Sequence, residues 1–108
     1  MRPLKKAEQE LIIHLLKDSP KRDYFINKLP HLMVEEMNDG GMGSLKFIST
    51  STEKIIMKED IAIIDLYDMD GIPLFISLLL GTDEELFELD VFKADFSPLK
   101  QFPVPPYQ

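Results

Sequence analysis

At Pro30 the apolar pattern of this 108-residue chain changes period, and that change limits the possible folds more than any other feature. Ahead of it, Leu4, Ala7, Leu11 and Leu15 recur at three- and four-residue spacing. Ile12 and Leu16 widen the stripe, and Lys5, Lys6, Glu8, Gln9 and Glu10 lie opposite. One apolar stripe of this spacing is one face of a helix, so an amphipathic helix is predicted over 4–17. Asp18-Ser19-Pro20 ends it, because proline disfavours helical geometry in the preceding residue and has no N–H to donate. A short second helix is expected over 21–29, burying Tyr24, Phe25 and Leu29, with Pro30 as its stop.

Beyond Pro30 the period is two, the repeat of a strand. Residues 31–37 and 44–50 read as a hairpin around Asn38-Asp39-Gly40-Gly41-Met42-Gly43, whose glycines admit positive φ. Residues 61–68 and 72–80 read as two strands around the turn Asp68-Met69-Asp70-Gly71. The second of these is greasy on both faces, which predicts a central place in the sheet. Residues 86–95 supply a fifth strand, setting Phe87, Leu89 and Val91 against Glu88, Asp90 and Phe92. Short links favour an antiparallel order. The expected class is therefore α+β: one or two N-terminal helices packed on a mainly antiparallel sheet of about five strands, arranged as a meander.

The length suits a single domain over 1–108, with a helical segment (1–30), a sheet (31–95) and a Pro-rich tail (96–108). That tail holds four of the eight prolines, interleaved with Leu99, Phe102, Val104 and Tyr107. Two paths are open to it: along the body of the domain, or loose. The absence of cysteine removes disulfides, cysteine-ligated metals and thiol nucleophiles. The apolar runs are far shorter than the ~20 residues of a membrane span. A cytoplasmic protein that does not engage membranes is expected.

Charge is unevenly placed. Residues 1–30 carry seven basic and four acidic groups, a net +3, whereas 31–108 carry five and fifteen, a net −10. An acidic sheet steers toward cationic partners and away from nucleic acid. Within the expected strands the carboxylates are Glu35, Glu36, Asp65, Glu88 and Asp90. They are the candidate partner-binding residues, weighed against the plainer reading of a solvated sheet face.

No local pattern identifies a catalytic, cofactor-binding or metal residue. Asp65, Asp68, Asp70 and Gly71 resemble part of a calcium loop, but the register puts Leu66 and Ser77 where carboxylates are required, so a hairpin turn is the better reading. Gly40-Gly41-Met42-Gly43 precedes a strand rather than a helix, flanked by Glu35, Glu36 and Asp39, which disfavours phosphate binding. His14 and His31 belong to no paired motif, and the serines lie in no nucleophile elbow.

Two segments, EMNDGGMGSL (36–45) and FELDVFKADFSPL (87–99), together with Arg2-Pro3-Leu4, resemble a family of small, single-domain bacterial proteins of uncharacterised function. The likeness spans nearly the full chain. It implies a bacterial origin and brings no catalytic residues with it. Small acidic α+β domains also occur among bacterial immunity proteins, which cover cationic toxins with a negative surface, and this analogy fits the charge split.

The leading expectation is thus a non-enzymatic interaction module, immunity-protein-like, whose acidic face binds a basic protein without a cofactor. The alternative is a small metal-dependent hydrolase or ligand-binding domain using the same carboxylates. A third expectation is a homo-oligomer joined through an exposed strand edge or the tail.

Overall fold

The computed structural model describes residues 1–107. In chain order the elements are β1 (Arg2–Pro3), α1 (Lys6–Leu15), α2 (Arg22–Lys28), a 3-10 turn (Leu29–His31), β2 (Met33–Glu36), β3 (Leu45–Phe47), β4 (Met57–Tyr67), β5 (Pro73–Gly81) and β6 (Leu86–Lys93). The α+β class and the antiparallel sheet are as expected. The sheet has six strands rather than five, because Arg2 and Pro3 pair with Val34 and Met33 and add a short edge.

Helix α1 forms where the apolar stripe demanded it, and Leu11, Ile12, Leu15 and Leu16 are buried beneath it. Its first turn is closed by Glu8, which accepts the Lys5 backbone N–H at 2.8 Å, satisfying one of the donors a helix start leaves unpaired. The same carboxylate receives both terminal nitrogens of Arg2 at 2.8 Å, so a bidentate pair ties the helix to β1. In α2, Phe25 is buried, as is Leu29 just beyond it. Tyr24 departs from expectation: it faces out, and its hydroxyl donates to Glu85 at 2.6 Å.

The strand order is β1-β2-β3-β6-β5-β4, which corrects the simple meander. Hairpin β2–β3 and meander β4–β5–β6 both form, but β3 pairs with β6 and not with β4. Strand β4 is mostly exposed and acidic at 59–60 and so suits an edge, whereas β6 carries Leu89, Val91 and Lys93 inward and needs a neighbour on each side. The link over 48–56 spans three strand spacings, about 14 Å, easily within reach of nine residues. It runs past the β5–β6 turn, where Thr82 N–H donates to the Ile56 carbonyl. Strand β5 lies between β4 and β6, interior as predicted but one place from the edge.

The helices cover one face of this sheet, and Val34, Leu45, Leu66, Leu74, Ile76, Leu78, Leu89 and Val91 form the core between them. The tail takes the first of its two paths. Leu99, Phe102 and Tyr107 pack against the core, Leu99 N–H donates to the Gly41 carbonyl, and the Tyr107 ring lies 4.7 Å from that of His14.

Candidate functional site

Among the described residues no helix or strand covers the face of the sheet turned away from the helices; the 48–56 link lies along one end of it, beside Glu35, Lys46 and Phe87, and Leu79 is buried. Paired residues in an antiparallel ladder point to the same side, so the register defines its composition. One row runs Glu35, Lys46, Glu88, Leu79 and Asp60. The next runs Asp90, Ser77 and Ile63, and a third runs Phe92, Phe75 and Asp65. Between Leu79 and Leu80 the register shifts so that Leu79 faces Glu88 and Leu80 faces Leu86. Phe87 is the extra residue of this bulge, which lets Leu86 point inward while Glu88 and Asp90 point out.

Four of the five carboxylates singled out from sequence, Glu35, Asp65, Glu88 and Asp90, therefore share the open face. Glu36 does not, which corrects the grouping. It pairs with Leu45 on the helix side and approaches Arg2 at 3.8 Å. Adjacent residues of a strand point to opposite faces, so Glu35 and Glu36 had to separate.

Glu88 and Asp90 are two residues apart on one strand and point to the same open side, which sets one carboxyl beside the other. Partial burial, then the proximity and negative charge of Asp90, push Glu88 up to about 7, while Lys46 pulls in the opposite direction without cancelling them. Beside the pair the face is aromatic. Phe75 and Phe92 stack at 6.3 Å, Phe96 meets Phe92 edge-on at 5.1 Å, and all three are substantially exposed. The face thus joins an acidic centre to an apolar end.

Other carboxylates are neutralised locally. Lys28 pairs with Glu85, and Lys58 with Glu84. The most consequential pairing was missed in the sequence. Lys93 has no exposed side-chain surface, and its ammonium donates to Asp68 at 2.8 Å, Asp70 at 2.7 Å and the Pro98 carbonyl at 3.2 Å. The hairpin turn predicted at 68–71 is present, closed by Gly71 N–H to the Asp68 carbonyl. Its acids serve a buried cation made of protein. Burial alone would raise Asp68, but the Lys100 N–H at 2.7 Å, Lys93, and the Met69 and Gln101 N–H groups outweigh it and hold the carboxyl at about 2. Burial likewise opposes the Lys93 charge, and Asp68 with Asp70 overcomes it, so the ammonium stays above its usual range. The signal was visible: Lys93 follows Leu89 and Val91 at core-facing spacing.

Among the described residues no three His, Asp or Glu side chains converge as metal ligands. No helix among them is long and apolar enough to cross a membrane.

Taken together, fold and site define a small α+β domain with helices on one side of an antiparallel sheet and a chemically divided face on the other. The chain belongs to the family described as a domain of unknown function, DUF6984, whose model matches residues 1–103. No curated protein and no solved structure matches it.

Proposed function

We propose that this protein is a non-enzymatic interaction module that docks a basic protein surface on the open face of its sheet. The observation that supports this reading most is the Glu88–Asp90 pair: two carboxyl groups set side by side on the open face, with Glu35 and Asp65 on the same side and Lys46 as a nearby cation. A partner lysine or arginine set between them would relieve their repulsion, and the exposed Phe75 and Phe92 would supply apolar contact beside it. Long-range attraction to the acidic sheet would speed the encounter and fade with salt.

The test is affinity capture from the native host with the full chain as bait, at low and moderate salt, followed by the charge-reversed variant E88K/D90K. A specific basic partner, lost with rising salt and lost with the variant, is the expected result. Capture that is indifferent to both would overturn the reading.

A further inference from the structure

Strand β4 is eleven residues long and forms the outer edge of the sheet. Its irregularities lie in the first half, where the register shifts between Met57 and Glu59 and again between Asp60 and Ala62. From Ala62 to Tyr67 it pairs with β5 without interruption, leaving one side of the backbone ladder free. Natural edges are guarded by lysine, proline, bulges or a covering element. The stretch 62–67 has no lysine, proline or bulge, the tail comes alongside it at Leu66 and Tyr67, and Ile63 and Tyr67 are 66% and 68% exposed.

A groove of about 610 Å³ runs between this edge and the end of α1, bounded by β4 residues 59–64 and by the connection to α2. Its floor includes Leu15, Phe25, Ile64 and Leu80, while its rim sets Lys17 and Lys21 beside Asp18, Glu59, Asp60 and Glu84. The two sides of the edge therefore differ. Toward the groove, the apolar floor receives an apolar side chain. Toward the open face, Asp65 and, further in, Asp90 favour a cation.

We infer that the free edge of β4 over 62–67 accepts an extended segment of a partner protein as a seventh strand, its apolar side chains entering the groove and its alternate, basic side chains lying over the open face. This rests on the reading of that face as a docking surface for a basic partner and adds the mode of engagement, backbone pairing at a sheet edge. Charge selects against a second copy of the chain. Two β4 strands side by side would bring together two sets of Glu59, Asp60 and Asp65, none of which has an ion-pair partner among the described residues.

The experiment uses a phage-displayed library of random peptides, each about ten residues long, panned against the immobilised full chain. Enriched peptides should alternate basic and apolar residues. A synthetic copy of one should slow amide hydrogen exchange over 62–67 by about tenfold or more. Ile63→Lys, at an exposed site with the fold checked by circular dichroism, should weaken that peptide by about tenfold. Failure to enrich any peptide, or enriched peptides that leave exchange over 62–67 unchanged, would overturn the edge mode. The salt-sensitive capture of a folded basic partner would then still decide the open-face reading on its own. Concentration-dependent protection of 62–67 with a doubled mass, in the absence of peptide, would also overturn it, by assigning the edge to a second copy.

Discussion

Lys93 keeps its charge without any contact with water because its ammonium replaces lost hydration with two carboxylates and a carbonyl. Asp68 is the hub of this arrangement, since it also holds three backbone N–H groups, two of them from the tail. Replacing Asp68 with alanine should cost about 3 kcal/mol or more, because it strands a buried cation and frees those amides; urea denaturation measures it. The acid side of the stability curve follows from the same group. Asp68 lies at about 2 against an ordinary 3.8, so its contribution is complete above the ordinary value and is lost as pH falls through about 2. Stability should drop steeply over that interval, and less so in Asp68→Ala. Glu88 has the opposite sign. Raised to about 7 from 4.5, it favours the folded state fully below the ordinary value and loses that contribution as pH rises through about 7. Glu88→Gln should flatten the neutral limb of the curve, and carboxyl NMR titration should locate the midpoint directly. The sequence disclosed the inward spacing of Lys93 but not its partners, since only the turn over 68–71 brings two aspartates within reach of a strand more than twenty residues away.

The glycine loop between β2 and β3 is shaped by what lies on it. Gly43 has φ +100, and a Cβ there would fall 2.7 Å from Leu99 Cδ1, so the position needs both glycine's conformational freedom and its lack of a side chain. Gly43→Ala should destabilise by about 1–2 kcal/mol, with backbone NMR shifts concentrated in the loop and in the tail around Leu99. Helix α1, the two glycine-bearing turns and the alternation of β6 were legible because each is a local pattern of apolar spacing or turn chemistry. The strand Arg2–Pro3 was not, since two residues carry no periodicity and are recruited only by the backbone of β2. The fate of Tyr24 was also hidden, because its partner Glu85 lies sixty-one residues away. Of the candidate carboxylates, the separation of Glu35 from Glu36 follows from strand alternation alone. Their relation to Asp65, Glu88 and Asp90 depended on register.

Across the whole molecule lysines and Arg2 meet several acids in place, so the net −7 charge is carried by the acids left over. What remains on the open face is concentrated around Glu88 and Asp90, and the surface should respond to salt accordingly. Partner affinity should fall with ionic strength, and the slope should shrink in the double variant E88Q/D90N, as titrated by calorimetry over a salt series. The meander was misjudged because the link over 48–56 contains nothing that distinguishes a turn back to the neighbouring strand from a passage to the opposite edge. That passage has a consequence for biosynthesis. The β2–β3 ribbon leaves the ribosome with one side unsatisfied and must wait for Leu86–Lys93, the final strand, before the two halves of the sheet can join. A nascent chain halted before that strand carries two raw ladders at once, so premature termination should yield aggregates rather than a smaller folded protein.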